Sequence, residues 1–342
     1  MEEKNYIEHK GKVIETNNRF KYVMAITLDP RTNYMEGIVR CITSRKGDVH
    51  IKGYTDRSEL YKIKGDSLES FKISERLNIK NEKEIISQLI GKDRDFIGLE
   101  DPDIWIDDNT GLMHLYFTIP IKPSKRIDDS GKHTQIHLGH AVGKDLNSLE
   151  MKIPVLLDTV ELSAKEVSIA PINKKGFRYN LIESRDRRTD VTYSIVKVAI
   201  VKDMDKAWEY GNTVFHPAEH NIPWIGGHAS PGPLFPETFI NVGEGKLLGV
   251  INGREANQKI GEKIKYGMFS VGLFIYDYEN GKIDWVSPEP FIQDSEATII
   301  TFASQFVCTK KGKGILYAHV DDSFVRAYTL EAEKIKALLP KF

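Results

Sequence analysis

One kind of segment recurs at nearly constant spacing along most of the chain and limits the folds that the chain can adopt. The repeated element is a glycine turn that opens an apolar run, and its copies begin at Gly111, Gly176, Gly245 and Gly312. The interval between successive copies varies little along the sequence. Because a fixed period marks one supersecondary unit used several times, the sequence predicts a repeat architecture.

Short runs with alternating apolar and polar residues surround each turn and are typical of β-strands. The strand before each turn is predicted at 100–106, 165–172, 228–235 and 304–308. The strand that follows the apolar run is predicted at 137–142, 193–201, 270–278 and 324–330. Three units add an outer strand, at 149–157, 207–215 and 282–292. A more divergent unit precedes them, with strands near 21–28, 36–43, 59–64 and 71–74.

Units of four antiparallel strands at a fixed period predict an all-β fold, a five-bladed β-propeller that forms one domain over residues 1–342. The blades are expected at about 20–76, 98–158, 164–216, 226–292 and 300–330. The last blade lacks an outer strand, and the N-terminal run at 11–15 is expected to supply it and close the ring. Short helices are predicted at 82–89 and 330–339. Two stacked β-sandwiches, the rival fold, do not explain one period through the whole chain.

The balance of charges limits the classes of partner that the protein is expected to bind. The chain has 48 basic and 49 acidic residues, so neither nucleic acid nor a membrane surface is an expected partner. No run approaches the 18 or so apolar residues of a membrane span, and the charged N-terminus lacks the apolar core of a signal peptide. The chain also has only two cysteines, and these features together predict a cytoplasmic protein.

Carboxylates are concentrated at the start of two predicted innermost strands. Glu100, Asp101 and Asp103 lie almost side by side, and neighbouring like charges raise at least one pKa, as a general acid requires. Glu166 follows Asp101 one repeat later, so both should face the same channel. Paired carboxylates across a sugar ring cleave glycosidic bonds. The alternatives are an ordinary Asp-Pro turn and a surface ion pair between Lys165 and Glu166.

Further candidate ligand-binding residues lie at the corresponding places of later units. The fourth unit begins with Trp224 and His228, which suit stacking and hydrogen bonding in an irregular Gly- and Pro-rich loop. Arg185 and Arg254 end the second strands of their units, and arginine suits hydroxyl-rich or anionic ligands. Both arginines are equally compatible with solvated salt bridges.

Other kinds of site lack support in the sequence. His133, His137 and His140 are closely spaced, but positions 137 and 140 of a strand point to opposite faces, so we expect no metal site. Neither a Walker A loop nor a dinucleotide-binding fingerprint occurs, and we expect no cofactor.

Four segments together resemble glycoside hydrolase family 130, five-bladed propellers acting on β-mannosides, and more broadly the family 43 and 32 propellers. Glu100-Asp101-Pro102 resembles the family motif Glu-Asp-Pro-Arg, whose aspartate is the catalytic acid. Segments 165–171, 224–233 and 303–322, the last carrying Asp322, are similar to the motifs that follow it. In order, the four cover about residues 95–330.

The departures from the family bear on the reaction. Asp103 stands where the motif has arginine, and two positions that carry phosphate-binding arginines in the phosphorylases hold His137 and Lys165. Loss of the bidentate guanidinium weakens phosphate recognition, which favours hydrolysis over phosphorolysis. Lys165, His228 and Arg185 remain available to an anion, however, and phosphorolysis conserves bond energy inside a cell.

The resemblance implies an inverting hydrolase acting on a β-linked, mannose-containing oligosaccharide. Asp101 is expected to protonate the glycosidic oxygen, directly or through a sugar hydroxyl, while Glu166 activates water. The expected substrate-binding residues are Glu100, Asp103, His137, Lys165, Arg185, Trp224, His228, Arg254 and Asp322. The alternatives are a phosphorylase that takes inorganic phosphate as a second partner and a non-catalytic glycan-binding propeller. Self-association is left open.

Overall fold

The computed structural model describes residues 4–16, 19–124, 133–188 and 191–341, and β-strands account for most of its regular structure. The first strands are β1 (Tyr6–Glu8), β2 (Ile14–Glu15), β3 (Val23–Leu28), β4 (Glu36–Lys46), β5 (Thr55–Ser67) and β6 (Ser70–Arg76). Helix α1 (Glu82–Leu89) follows, then β7 (Arg94–Phe96), β8 (Glu100–Ile106), β9 (Met113–Pro123), β10 (Gln135–Gly143) and β11 (Glu150–Leu156). In the described ranges, no helix is both long enough and apolar enough to cross a bilayer.

The second half of the chain continues the same pattern. Its first strands are β12 (Lys165–Ser168), β13 (Arg178–Arg188), β14 (Val191–Val201) and β15 (Glu209–Phe215). The next are β16 (His228–Leu234), β17 (Lys246–Arg254), β18 (Gln258–Ile260), β19 (Lys263–Lys265), β20 (Phe269–Asp277) and β21 (Lys282–Val286). The last are β22 (Thr301–Lys310), β23 (Lys313–Val320) and β24 (Phe324–Glu331), followed by α2 (Ala332–Lys336). The C-terminal helix is therefore shorter than the predicted 330–339.

Antiparallel pairing groups these strands by fours. The groups are β3-β4-β5-β6, β8-β9-β10-β11, β12-β13-β14-β15, β16-β17-β20-β21 and β22-β23-β24-β1. We call them groups one to five. Strand β7 also pairs with β9, β18 and β19 form a separate hairpin, and one parallel bridge between Ser194 and His228 joins groups three and four.

The strand that completes group five is not the one expected. The run at 11–15 was predicted to do so, but its strand β2 runs parallel to β6 in group one, with Ile14 beside Phe71. Strand β1 pairs with β24 instead. The physical reason is packing: the Tyr6 ring meets the rings of Phe291 and Tyr328 edge-on, at 5.8 and 5.7 Å between centroids.

The first strands of the groups contact one another in turn: β3 contacts β8, β8 contacts β12, β12 contacts β16, β16 contacts β22 and β22 contacts β3. A separate apolar cluster fills the space between each successive pair of groups, including groups five and one. Tyr116 and Trp208, for example, pack at 5.0 Å between groups two and three. Each group thus buries its faces against its two neighbours.

Each of the five first strands is interrupted by a bulge. The pairing register shifts after Met24, Glu100, Lys165, Pro231 and Ala303. At three of these bulges a non-glycine residue adopts left-handed backbone angles: Ala25 (φ 48°), Asp101 (φ 48°) and Glu166 (φ 50°). A bulge leaves one residue unpaired and redirects its side chain, and such features concentrate beside active sites.

Gly98, just before β8, is expected to be sensitive to substitution. Its φ is +116°, and an added Cβ would lie 1.9 Å from the Ser58 carbonyl oxygen. Gly98→Ala should lower the free energy of unfolding by about 2–3 kcal/mol through backbone strain and overpacking, measured by urea denaturation. Gly111→Ala is the matched control, because its φ is +69° but no atom lies within 4 Å of the added Cβ. Equal losses in the two variants would contradict the steric explanation.

Candidate functional site

A cavity of about 400 Å³ opens where the first strands of the groups begin. All five groups contribute to its lining, together with the segments that precede them. Its charged and imidazole side chains are those of Arg40, Asp56, Glu100, Asp101, Lys122, Lys165, Glu166, His228, His319 and Asp322. Six of the residues predicted from the sequence therefore share one cavity: Glu100, Asp101, Lys165, Glu166, His228 and Asp322.

Arg40 of β4 binds both carboxylates at the start of β8. Its Nη2 lies 2.7 Å from Glu100 Oε1, and its Nη1 donates to Asp101 Oδ1 at 2.8 Å. All three residues are largely buried, so the guanidinium offsets charges that are only partly hydrated. Burial nevertheless raises the pKa of Glu100, with Arg40 opposing the shift.

Asp101 and Glu166 are in direct contact across the boundary between groups two and three. Their side chains share a hydrogen bond, and burial together with the Asp101 charge raises the pKa of Glu166 well above its usual range. Two carboxyl groups can form a hydrogen bond only if one of them is protonated, and the raised pKa of Glu166 favours that residue. The pair is closer than the roughly 6.5–9.5 Å at which two carboxyls usually admit a water molecule.

A second cluster of charges lies beside this pair. Lys165 Nζ is 3.4 Å from Glu183 Oε1, and His228 Nε2 is 3.2 Å from Glu183 Oε2. Burial alone would raise the pKa of Glu183, but His228 and Lys165 lower it to about 2. Burial lowers the pKa of His228 itself, which favours its neutral ring, so Lys165 is the cation on which the ionised Glu183 depends. Glu183 orients both side chains at the cavity wall.

Group five contributes Asp322, which is ionised and held in place. It accepts a hydrogen bond from the Tyr54 hydroxyl at 3.1 Å, and its other oxygen is 3.2 Å from His319 Nε2. Burial would raise its pKa, but His319, Arg40 and Arg45 lower it overall. The neighbouring Asp56 is bound by both ends of the Arg45 guanidinium.

Aromatic rings form part of the cavity wall. Tyr266, Phe269 and Phe302 line it, and Phe302 stacks on His319 with 5.1 Å between centroids. Arg254 is not among the lining residues; its guanidinium lies behind them, 4.4 Å from the Tyr266 ring centroid and 5.1 Å from that of Phe269. Flat apolar faces beside charged groups match the two-sided character of a sugar ring.

Three other predicted ligand-binding residues lie outside the cavity. Arg185 is held by Asp158 at 2.7 Å and by the carbonyl oxygens of residues 134, 159 and 162. Trp224 packs in the core between groups three and four, where its indole N–H donates to the Ser287 carbonyl oxygen. His137 is buried, and its Nδ1 accepts from the Asp158 backbone N–H. The structure uses these three side chains for packing and internal hydrogen bonds.

Asp103 does not line the cavity of about 400 Å³ that holds Asp101. It lines a cavity of about 200 Å³ farther along β8, which Asp101 and Glu166 also border. The bulge between Glu100 and Asp103 breaks the strand alternation that would have placed residues 101 and 103 on one face. Burial raises the pKa of Asp103 to about 7.

The raised pKa of Asp103 predicts a pH-dependent stability. In the unfolded chain this carboxyl titrates near pH 4, so between about pH 4 and 7 the folded state binds the extra proton. Its contribution to stability is therefore greatest below pH 4 and is lost as the pH rises to 7. Asp103→Asn removes this titration, and urea denaturation should show the variant gaining stability over the parent between pH 5 and 8. An equal difference at both pH values would contradict this.

Several residues of the site were not predicted from the sequence. Arg40 lies in the divergent first unit, yet it interrupts an otherwise apolar run beside buried Val39 and Cys41. A charged residue in such a run signals a buried partner, and this signal was available. Tyr54 and Tyr266, which also line the cavity, and Glu183, which contacts Lys165 and His228, gave no comparable signal, because they reach the site only through long-range folding.

The fold has counterparts among solved structures. A Bacteroides thetaiotaomicron protein provisionally named a glycosidase is 15% identical over 95% of this chain and 96% of its own, with a TM-score of 0.64. A structure from a study of family 130 mannoside phosphorylases and hydrolases is 17% identical, with coverages of 96% and 94% and a TM-score of 0.64. The chain shares its fold with glycoside hydrolase family 130. The resemblance noted in the sequence is thus confirmed for the fold.

A third structure of this fold holds a sugar. It is the β-1,2-mannobiose phosphorylase of Listeria innocua in complex with β-1,2-mannobiose, 13% identical over 98% of this chain and 91% of its own, with a TM-score of 0.57. No protein-family model matches the chain, and no curated protein sequence does. These comparisons therefore show a likeness to family 130 in fold.

Proposed function

We propose that this protein cleaves β-linked, mannose-containing oligosaccharides, with Asp101 and Glu166 as its catalytic pair. The observation that carries the proposal is the contact of these two carboxyls at the cavity wall, each on a left-handed bulge and joined by a hydrogen bond. A general acid and a general base together hold one proton at the start of an inverting reaction. Support also comes from the shared fold with mannoside-active enzymes.

The chemistry follows from the charges around the pair. The raised pKa of Glu166 favours the proton on Glu166 in the resting pair, so this proton must first pass to Asp101 when the sugar enters. Asp101 then delivers it to the glycosidic oxygen, directly or through a sugar hydroxyl, and Glu166, now ionised, takes a proton from the attacking water. Sugar must enter between the two carboxyls for this to occur, because their resting contact leaves no place for water. Arg40 and Lys165 stabilise the pair when the proton moves, since each lies beside one of its members.

Phosphorolysis is the second candidate, and the same contact favours it. Phosphate brings its own nucleophilic oxygen and needs no carboxylate to activate water. Lys122, Lys165 and His228 line the cavity and would meet the anion. The sequence-based preference for hydrolysis thus rests on the missing arginines alone.

One assay separates the candidates. Purified protein is incubated with β-1,2-mannobiose and longer β-mannosides, with and without inorganic phosphate, and products are identified by NMR. Free mannose released without phosphate supports hydrolysis, and its initial anomer reports inversion. Mannose 1-phosphate formed only with phosphate supports phosphorolysis. Binding of these sugars without any product would instead support a non-catalytic glycan-binding protein.

We propose further that the five groups are the blades of one closed propeller domain. The support is the cycle of contacts among first strands and the apolar cluster between groups five and one. The pairing of β1 with β24 covers the edge of the last group. A crystal structure that showed a gap between groups five and one would contradict closure.

A further inference from the structure

Two buried histidines face one another between groups two and three. One of them is opposite Trp105, near the end of β8, whereas the carboxylate pair lies near the start of that strand. His114 lies near the start of β9 and His140 in β10. In the register of these strands, His114 is opposite Val142 and Tyr116 is opposite His140, so both imidazoles project from the same face of the sheet. His137 and His140 lie on the same strand and point to opposite faces, whereas His114 and His140 come from neighbouring strands.

The imidazole nitrogens are close enough to share a ligand. His114 Nδ1 and His140 Nε2 are 3.0 Å apart, and the two rings are inclined by only 26°. Each histidine is almost fully buried. The other nitrogen of His114, Nε2, has no hydrogen-bond partner within the described part of the chain. Apart from the hydrogen bond between the two rings, this buried donor or acceptor of His114 is therefore left without a partner in that part of the chain.

A carboxylate from group three completes the cluster. Asp205 follows β14 in a loop, and its Oδ1 lies 3.9 Å from His114 Nδ1. The three ligand atoms all lie within 4.8 Å of one another. Zinc binds nitrogen and oxygen at about 2.0–2.2 Å, which separates tetrahedral ligands by about 3.3 Å. The observed separations of 3.0 Å between the two imidazole nitrogens and 3.9 Å between His114 Nδ1 and Asp205 Oδ1 lie on either side of that value.

We propose that His114 Nδ1, His140 Nε2 and the Asp205 carboxylate form a binding site for a divalent transition-metal ion such as Zn²⁺. Two imidazoles and one carboxylate suit this class of metal and leave at least one coordination position for water. His114 and Asp205 border a cavity of about 190 Å³ that is lined also by Asp107 and Asp203, and this cavity would give water access to the ion. Among the described residues, this cavity and the one holding Asp101 and Glu166 share none of their lining.

The ion would add a link between two groups that already meet through apolar packing and through the ion pair of Arg185 with Asp158. His114 and His140 belong to group two, whereas Asp205 lies in the loop that leads from β14 to β15 in group three. Each imidazole binds as the neutral ring with its proton on the far nitrogen, so the proton between the facing nitrogens must move when the metal enters. Metal binding should therefore release protons and raise the thermal stability of the chain.

The test uses the full chain, stripped with a chelator and dialysed. Isothermal titration calorimetry with Zn²⁺ alone should give one saturable equivalent, and Zn²⁺ should raise the melting temperature. Asp205→Asn, which changes an exposed ligand, should weaken binding at least about 10-fold and remove the rise in melting temperature. Asp203→Asn is the matched control: it neutralises a carboxylate that lines the same cavity but is outside the ligand set, and should change the affinity less than about 3-fold.

His140→Gln provides a second readout and should abolish the one-equivalent binding while the far-UV circular dichroism spectrum is retained. If His140→Gln does not fold, the comparison of Asp205→Asn with Asp203→Asn decides alone. Absence of saturable binding by the parent chain overturns the proposal. So does an Asp205→Asn variant that binds as tightly as the parent, or an equal loss in Asp203→Asn.

Discussion

Replacing Asp101 by asparagine is expected to lower kcat/KM on the true substrate by about 10²–10⁴-fold, the usual contribution of a general acid. Asparagine keeps the shape of the side chain but cannot transfer a proton to the glycosidic oxygen. Arg40 keeps Glu100 as its partner, so the variant should fold. The measurement is steady-state turnover on whichever β-mannoside proves to be cleaved, with circular dichroism as the check on folding.

Asp103→Asn is the matched control for this experiment. It removes a nearby carboxylate of the same strand, but Asp103 faces the neighbouring cavity, so turnover should stay within a few-fold of the parent. Near-normal turnover by Asp101→Asn would contradict the proposed role of Asp101. A loss of equal size in Asp103→Asn would show that the two cavities act as one site.

Glu166→Gln distinguishes the roles within the pair. If Asp101 is the acid, Asp101→Asn should recover turnover on an aryl glycoside, whose leaving group needs no proton, whereas Glu166→Gln should not. The reverse pattern would assign the acid to Glu166, whose raised pKa also suits that role.

Arg40→Leu is expected to lower the free energy of unfolding by about 3–5 kcal/mol, because it leaves Glu100 and Asp101 buried without their cation. The carboxyls can reduce this cost by binding protons, so the loss should be smaller at pH 5 than at pH 8. Urea denaturation at both pH values measures it. Activity should fall as well, because Arg40 orients the Asp101 carboxylate.

Arg57→Leu is the control for Arg40→Leu. Arg57 is half exposed, and its Nη2 is 3.9 Å from Asp95, so its removal should change stability by less than about 1 kcal/mol. A similar loss in both variants would mean that burial of the ion pair does not determine the effect.

The strand groups could be predicted because their turns are repeated in sequence. Gly111, Gly176, Gly245 and Gly312 all adopt left-handed angles, with φ between 69° and 81°, which glycine accepts readily. The corresponding turn of group one uses Asn33 and Tyr34 at positive φ instead, which explains why that unit looked divergent. The pairing of β1 with β24 could not be predicted, because it joins strands from opposite ends of the chain.

The site was predictable where it follows the repeat. Asp101 and Glu166 occupy the same place in successive units, and the structure brings them into contact. Arg185 and Trp224 were predicted from their residue type and their place at a strand end or in a loop. Their roles depend instead on contacts with Asp158 and Ser287, which are distant in sequence. The contact between the carboxyls was not predictable, because it depends on bulges that a strand pattern does not reveal.

The bulges in the first strands have a consequence for how this protein could be altered. Ala25 already has the left-handed backbone that Asp101 and Glu166 adopt, and it borders the same cavity of about 200 Å³. Asparagine and aspartate accept such angles more readily than most residues. A polar side chain introduced at residue 25 would therefore face this cavity without a change of backbone conformation. One substitution at this position could thus add a third polar group beside the two proposed catalytic carboxyls.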